Sequence, residues 1–213
     1  MKINALLTRY PQLTPLSSQI ETALGTLSQT VEKGGKILTC GNGGSASDAE
    51  HIVGELVKSF AMRRPLPAKD VQLIEKTFPN ESSHILANLE GAIPAVCLMS
   101  NVSISTAFAN DKSYEFAAAQ QLYALGSAND TLIAISTSGN SKNVLAACKI
   151  AKIKNIKTIG LTGASGGKLK DLCDTCIQVP SDKVHEIQEM HLPIYHFLCA
   201  ALEARIFNSD NNT

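Results

Sequence analysis

Five short apolar segments alternate with longer helix-like segments along the chain, and this order limits the folds that the chain can adopt. Most of the five contain consecutive apolar residues instead of a strict apolar–polar alternation, which is typical of strands buried on both faces. The five predicted strands are KILTC (36–40), IPAVCL (93–98), TLIAIS (131–136), KTIGLT (157–162) and TCIQVP (175–180).

Helix-length segments separate these strands and also flank them. Between the strands we predict helices over 45–60, 113–125 and 141–153, and at the two ends over about 13–32 and 182–207. Alternating strands and helices predict a parallel sheet with helices on both faces and right-handed crossovers. We therefore expect an α/β fold with three layers and a doubly wound, parallel five-stranded sheet, formed by one domain over residues 1–213 with an N-terminal helical segment over 1–34.

Composition and charge exclude several classes of protein. The chain has 213 residues, 44% of them hydrophobic, which is enough for one sizeable core. The 19 basic and 19 acidic residues give zero net charge, so we expect no nucleic-acid partner. Neither a signal-peptide core nor an apolar run of membrane-spanning length is present in the sequence, which predicts a cytoplasmic protein without membrane contact.

The six cysteines are scattered, and without an export signal they predict reduced thiols rather than a disulfide framework. Only Cys173 and Cys176 form a CxxC pair. Because no second pair accompanies it, we interpret it as structural rather than as a metal or redox site.

Three loops that follow predicted strands are rich in glycine and hydroxyl side chains: GNGGS (41–45), STSGNS (136–141) and TGASGGK (162–168). Ligands of open parallel sheets bind at the carboxyl ends of the strands, where loops enter helices. Glycine allows close approach of the backbone, hydroxyl groups donate hydrogen bonds, and a helix N-terminus attracts anions. Any one of these loops could be a simple turn, but two after buried strands favour a phosphate site.

The common nucleotide motifs are absent from these loops. GASGGKL is too short for a P-loop and ends in leucine where Ser or Thr is needed. The first loop lacks the glycine spacing of the dinucleotide fingerprint. A small phosphorylated metabolite is therefore a better prediction than ATP or NAD.

Five segments together resemble the sugar isomerase (SIS) fold, and most closely the phosphoheptose isomerases: CGNGGSASDAEHIVGEL, AFAND, IAISTSGNS, GLTGASGGKL and EIQEMHLPIYH. The resemblance covers about 35–206 apart from one block. It implies a flavodoxin-like sheet, a tetrameric enzyme, and interconversion of sedoheptulose 7-phosphate and D-glycero-D-manno-heptose 7-phosphate.

The resemblance also implies roles for individual residues. Glu55 and His196 match the general base and the general acid. The matched phosphate-binding residues are Ser136, Thr137, Ser138 and Ser141. The matched sugar-binding residues are Asn42, Gly43, Gly44, Ser45, Asn110, Asp111 and Gln188. The ligands of the zinc ion found in some members match His51, Glu55, Gln188 and His196.

Elementary chemistry agrees with these roles. Aldose–ketose isomerisation removes a proton from a carbon next to a carbonyl, so a carboxylate can act as base while an imidazole transfers protons to oxygen. Zinc accepts imidazole and carboxylate ligands, and His51 and Glu55 lie at i and i+4 on one helix face. Without the surrounding motifs, such a pair would be interpreted as a solvated ion pair.

Helix geometry restricts how Gln188 and His196 can meet. Eight residues on one helix lie about 12 Å apart along the axis and about 80° apart around it. We therefore expect a composite site with side chains from neighbouring protomers, and inactive isolated monomers.

The block at about 68–92 departs from the family pattern. Its apolar residues are interspersed with charges, which predicts one or two short amphipathic helices that cover the site or pad a subunit interface. This insertion leaves a different sugar phosphate open as substrate. A second alternative is a non-catalytic SIS protein that binds phosphosugars or a replication initiator, against which the presence of Glu55 and His196 argues.

Three further histidines have no predicted catalytic role. His84 and His185 match no motif and are interpreted as structural or surface residues, and His191 follows the family pattern without an assigned role.

Overall fold

A computed structural model describes residues 2–209 and contains one parallel five-stranded sheet. The strands are β1 (Ile37–Cys40), β2 (Ala95–Cys97), β3 (Thr131–Ile135), β4 (Lys157–Thr162) and β5 (Thr175–Gln178). The helices are α1 (Ile3–Arg9), α2 (Ser17–Glu32), α3 (Gly44–Val57), α4 (Ala68–Thr77), α5 (Ser82–Asn88), α6 (Val102–Asp111), α7 (Ala117–Leu125), α8 (Lys142–Ile153), α9 (Leu169–Leu172) and α10 (Val184–Ser209), with 3-10 helices at Pro11–Leu16 and Tyr114–Phe116.

The strand order is β2-β1-β3-β4-β5, and every neighbouring pair is parallel. This is the flavodoxin-like order, in which the chain reverses direction between β1 and β3. The predicted fold class is therefore confirmed, including all five strands. The loops after β1 and β3 lie next to each other at this reversal point.

Two apolar cores cover the two faces of the sheet, because successive side chains of a strand point to opposite sides. On β3, Ile133 and Ile135 pack in the core formed with α2, α3 and α10. Leu132 and Ala134 pack in the other core, formed with α7, α8 and α9. Because both faces of the sheet are buried, the strands are continuous apolar runs in the sequence.

The connection between β2 and β3 differs from the prediction. Instead of one helix over 113–125, the chain forms α6, a 3-10 turn and α7. The side chain of Asn101 caps α6 by accepting a hydrogen bond from the backbone N–H of Ile104. None of the ten residues of α6 is buried.

The block at 68–92 contains two short helices, α4 and α5, and none of their residues is buried. At its end Glu90 accepts hydrogen bonds from the backbone N–H and the hydroxyl of Ser59, and Gly91 donates its N–H to the carbonyl of Arg64. A cavity of about 730 Å³ separates the two helices from residues 63–66. The block therefore lies beside the segment that follows α3.

None of the helices within residues 2–209 is both long enough and apolar enough to cross a membrane. All six cysteines are free. A hydrogen bond with Cys148, and then burial, raise the pKa of Cys173, and burial raises the pKa of Cys176 to about 11. Thiols that stay protonated agree with a structural role for the CxxC pair.

Candidate active site

The loop after β1 turns sharply into α3. Gly43 has φ of 54°, a left-handed conformation that favours glycine, and its carbonyl accepts the first hydrogen bonds of the helix. A Cβ atom at Gly44 would collide with the amide of Gln188, which therefore lies directly over the loop. Ser45 is buried in the first turn. The structure thus brings Gln188 of α10 to the predicted sugar-binding loop.

The hydroxyl-rich loop after β3 is folded on itself. The hydroxyl groups of Ser136 and Ser141 lie 3.0 Å apart, and Ser138 accepts a hydrogen bond from the N–H of Asn140. Ser136 is buried, Thr137 and Ser141 are partly exposed, and Ser138 is exposed at the tip. Because α8 begins at the next residue, these hydroxyls surround a helix N-terminus, where a phosphate is stabilised.

Glycine is required where this loop meets the loop after β4. Gly139 has φ of 65°, and a Cβ atom there would collide with the carbonyl of Gly166. The Asn140 amide oxygen accepts the N–H of Lys168. The TGASGGK loop therefore packs directly against the hydroxyl-rich loop.

A pair of asparagines joins the loop after β1 to the first turn of α8, which follows the hydroxyl-rich loop. The amides of Asn42 and Asn143 exchange two hydrogen bonds of 2.7 and 2.8 Å, and the Tyr114 hydroxyl donates to the same Asn42 oxygen at 3.1 Å. Asn42 was predicted to bind sugar; its side chain makes these three hydrogen bonds, and the sugar-binding role stays a prediction. Sequence reasoning missed Asn143 and Tyr114, because no local motif marks them.

Asn110 and Asp111 lie at the exposed end of α6. The Asn110 amide donates to the Asp111 carboxylate at 2.9 Å. Within residues 2–209, no hydrogen bond joins either side chain to the loops after β1 or β3. Their sugar-binding role stays a prediction.

The predicted catalytic residues meet at the far end of α3. His51 Nε2 lies 3.0 Å from Glu55 Oε1, and the Lys58 ammonium donates to Glu55 Oε2 at 3.1 Å. The rings of His51 and His196 are in edge contact, with centroids 5.0 Å apart. Glu55, His51 and His196 therefore form one cluster between α3 and α10.

His196 has a buried, unpartnered nitrogen in the described chain. Its Nε2 is inaccessible to solvent and forms no hydrogen bond. Burial, and next the neighbouring His51, lower the pKa of His196, while the charge of Glu55 opposes this shift. The imidazole is thus held in its neutral form beside the Glu55 carboxylate.

Two residues that the sequence analysis did not identify extend the cluster. The Tyr195 hydroxyl lies 3.1 Å from His51 Nδ1 and donates to Asp48 Oδ1 at 3.1 Å. Burial, and then the Asp48 carboxylate, raise the pKa of Tyr195, so the phenol stays protonated. Tyr195 directly precedes His196, but only the fold brings it to Asp48.

A buried ion pair supports the end of α3 that carries Glu55. Arg64 and Glu203 are fully excluded from solvent and joined at 2.7 Å. The Arg64 guanidinium also donates to the carbonyls of Glu55 and Leu56 in the last turn of α3. These bonds satisfy the helix C-terminus and fix the chain around Glu55.

The four predicted zinc ligands do not converge within one chain. Their chemistry fits zinc, since it comprises two imidazoles, a carboxylate and an amide oxygen. The Gln188 side chain, however, contacts Gly44 at the start of α3. His51 lies seven residues after Gly44, about 10 Å further along the helix axis. Among residues 2–209, no three His, Cys, Asp or Glu side chains are arranged as a metal site.

The remaining histidines lie away from this cluster. His84 and His185 are exposed. His191 is fully buried with Nε2 3.3 Å from the carbonyl of Thr162, and burial lowers its pKa from 6.5 to about 4. It is a neutral residue of the α10–β4 interface.

Comparison with known proteins agrees with the geometry. Two family models, both described as the SIS domain, match residues 2–97 and 108–202. A phosphoheptose isomerase of Helicobacter pylori is 41% identical over 188 residues, 88% of this chain and 84% of its relative.

Two solved structures are similar over nearly the whole chain. The phosphoheptose isomerase of Neisseria gonorrhoeae is 30% identical with a TM-score of 0.74, covering 95% of this chain and 94% of that one. The phosphoheptose isomerase of Francisella tularensis is 32% identical with a TM-score of 0.75, covering 93% and 92%. The chain therefore belongs to the phosphoheptose isomerase family of SIS-domain proteins.

Proposed function

We propose that the protein is an aldose–ketose isomerase that interconverts sedoheptulose 7-phosphate and D-glycero-D-manno-heptose 7-phosphate. The observation that carries the proposal is the cluster of Glu55, His51 and His196, which places a carboxylate beside two imidazoles. A phosphosugar-binding regulator has no need of such an acid–base group. The relatives named above are phosphoheptose isomerases, which supports the same reaction.

The residues of the cluster suit the two proton transfers of the reaction. Glu55 removes the proton from the carbon next to the carbonyl, giving an enediolate, and returns it to the neighbouring carbon. The neutral His196 ring is assigned the exchange of a proton with the two sugar oxygens. Lys58 donates to Glu55 Oε2, and His51 Nε2 lies 3.0 Å from Glu55 Oε1, so both neighbours keep the carboxylate in place.

The phosphate group is assigned to the loop of Ser136, Thr137, Ser138 and Ser141. Hydroxyl groups around a helix N-terminus bind the dianion through charge-assisted hydrogen bonds. Gln188 and the loop Gly43–Ser45 lie on the same side of the sheet and are assigned to the sugar hydroxyls.

Within one chain, the phosphate loop and the catalytic cluster are too far apart to serve one substrate. Glu55 lies eleven positions after Gly44 on α3, about 16 Å along the helix axis. The carbonyl of Leu56 accepts the N–H of Ile93, which leads into β2, so the cluster lies towards the amino ends of the strands. A seven-carbon chain with bonds of about 1.5 Å spans less than about 10 Å from C1 to the phosphate.

We therefore infer that the active site is composite, with the phosphate loop of one protomer facing Glu55 and His196 of another. Closed homo-oligomers, here a tetramer, provide such shared sites by symmetry. The same arrangement would allow Gln188 of one protomer to approach His51, Glu55 and His196 of a second.

A zinc ion would then have a complete set of donors in His51, Glu55, Gln188 and His196. When bound, it would polarise the sugar carbonyl and stabilise negative charge on oxygen. The proton transfers remain those of Glu55 and His196.

The proposal is tested by adding sedoheptulose 7-phosphate to the purified protein, with and without zinc, and following the aldose by NMR. We expect turnover by the wild type and a loss of at least about 100-fold in kcat for Glu55→Gln. Glu50→Gln is the matched control, because Glu50 lies on the same helix but bonds Ser100 outside the cluster. Absence of turnover in the wild type under both conditions, with phosphosugar binding retained, would favour a different sugar or a regulator.

A further inference from the structure

The inserted block at 68–92 carries a carboxylate that binds the chain directly after the helix of Glu55. Glu90 Oε1 accepts the backbone N–H of Ser59 at 2.6 Å, and Glu90 Oε2 accepts the Ser59 hydroxyl. The bond from the hydroxyl, and next the bond from the N–H, lower the pKa of Glu90, so both bonds go to an ionised acceptor. Since α3 ends at Val57, Glu90 holds the chain two residues beyond this helix.

The backbone that follows Glu90 is fixed on the same segment. Gly91 donates its N–H to the carbonyl of Arg64, and Ile93 donates its N–H to the carbonyl of Leu56, both at 3.0 Å. Leu56 lies in the last turn of α3, and Arg64 lies in the segment after it. The Glu90 carboxylate therefore has a defined position relative to the end of α3.

Lys58 connects this arrangement to Glu55. Its ammonium donates to Glu55 Oε2 at 3.1 Å and to the carbonyl of Ser59 at 3.0 Å. The N–H that Glu90 accepts belongs to the peptide group between Lys58 and Ser59, so Glu90 also restrains the extended backbone of Lys58, where ψ is 168°.

The Lys58 side chain needs such restraint because it is 62% exposed. An exposed ion pair loses side-chain entropy when it keeps one geometry, and most such pairs are weak. The contact between Lys58 and Glu55 therefore depends on the backbone that carries the lysine, and Glu90 holds this backbone.

We propose that Glu90 is a positioning residue through which the inserted block keeps Lys58, and thereby the Glu55 carboxylate, in place for catalysis. It acts through Ser59 and Lys58. The coupling of the block to Ser59 rests on the hydrogen bonds alone, whereas its use in catalysis rests on the proposed function. The block then has a role within its own chain, besides any role in covering the site or padding an interface.

The coupling is tested by hydrogen exchange of the Ser59 amide, followed by mass spectrometry at single-residue resolution. We expect a protected amide in the wild type and exchange at least about 10-fold faster in Glu90→Ala, with unchanged exchange in β3. Glu81→Ala is the matched control, because Glu81 lies in the same block with an exposed side chain that does not cap α5. An unprotected Ser59 amide in the wild type overturns the proposal, whether or not Glu90→Ala folds.

The catalytic role is tested by a double-mutant cycle in the isomerase assay. We expect Glu90→Ala to lower kcat by about 10-fold, because a small displacement of a catalytic group is costly. Glu90→Gln keeps an oxygen that accepts the Ser59 N–H and should retain most of the activity, and Glu81→Ala should behave as the wild type. In a Lys58→Met background, Glu90→Ala should lower kcat by less than about 2-fold, because the residue through which it acts is gone.

Each result decides the proposal. An unchanged kcat in Glu90→Ala overturns it, and so does an equal loss with and without Lys58. A loss in Glu90→Gln as large as in Glu90→Ala also overturns it, because the charge rather than the hydrogen bond would then matter. A wild type without turnover, in which Glu90→Ala still accelerates exchange at Ser59, would instead overturn the proposed function and leave the coupling of the block to Ser59 intact.

Discussion

The guanidinium of Arg64 and the carboxylate of Glu203 form an ion pair that is fully excluded from solvent, with Arg64 Nε 2.7 Å from Glu203 Oε1. Glu203 also accepts the backbone N–H groups of Phe60, Ala61 and Met62. The pair therefore connects α10 to the segment that follows α3. Buried charges are tolerated when all their hydrogen-bonding capacity is used in this way.

We predict that Glu203→Gln lowers the free energy of unfolding by about 3–5 kcal/mol, because it leaves the Arg64 charge buried and unpaired. The double variant R64M/E203L should not restore stability, since the three N–H groups and the helix carbonyls would then have no partners. Urea denaturation measures both effects. Lys183→Met, which removes an exposed ion pair with Glu186, is the control and should leave the urea midpoint unchanged. Recovery in the double variant would contradict this account.

His191 makes stability depend on pH in a defined direction. Burial lowers its pKa from 6.5 to about 4, so between these values the unfolded chain binds a proton that the folded chain excludes. Its contribution is complete above the unfolded pKa and is lost as the pH falls towards about 4. A shift of this size corresponds to about 3 kcal/mol.

We therefore predict that His191→Gln reduces the loss of stability on acidification. The free energy of unfolding should be measured at about pH 7 and about pH 4.5 at one protein concentration, since oligomers gain stability with concentration. The difference between the two pH values should be smaller in the variant by about 2–3 kcal/mol. His185→Gln, at an exposed position, should behave as the wild type. Equal acid sensitivity in all three proteins would show that His191 does not carry the effect.

Ser141 links the phosphate loop to α8 without capping it. Its hydroxyl lies 3.0 Å from that of Ser136 and makes no capping bond to α8. Ser141→Ala should therefore cost little stability but weaken phosphate binding. A hydrogen bond to a charged group is worth about 1.5–3 kcal/mol, so we expect KM to rise about 10- to 100-fold with a much smaller change in kcat. Ser127→Ala, at the opposite end of the sheet, is the control, and an unchanged KM in S141A would remove Ser141 from the phosphate site.

The fold was predictable where buried segments have a recognisable apolar pattern in the sequence. The strands Thr131–Ile135 and Lys157–Thr162 are apolar on both faces, so their runs are continuous and their bounds were predicted to within one residue. The helix Val102–Asp111 was not predicted, and none of its residues is buried. Tertiary placement, rather than local preference, decides such a segment.

The site residues were predictable only where several of them lie in one continuous segment of the sequence. His51 and Glu55 share a helix, and the hydroxyl-rich loop is contiguous, so motifs identify them. The Asn42–Asn143 pair joins residues 101 positions apart, and the Tyr195–Asp48 bond joins residues 147 apart. Such partners are brought together by the order of the strands and by the packing of α10 on α3. Neither can be predicted from the spacing of residues in the sequence.

The separation of the phosphate loop from Glu55 gives the sharpest prediction about assembly. Glu55→Gln removes the base and leaves the loop intact. Ser138→Glu places a carboxylate at the exposed tip of the loop, where it repels the phosphate, and leaves Glu55 intact. Each variant alone should be inactive, because every site then contains the same defect.

Co-expression of the two variants distinguishes a composite site from a site within one chain. If loop and base come from different protomers, random mixing pairs an intact loop with an intact base in about a quarter of the sites, and activity returns to about that fraction of the wild type. If both come from one chain, every site keeps one defect and the mixture stays inactive. Mixed oligomers are isolated by two different affinity tags, and a mixture of Glu55→Gln with itself under the same tags is the control. Isolated mixed oligomers without activity would contradict the composite site, because the two intact halves would then be present in one particle and still fail to meet.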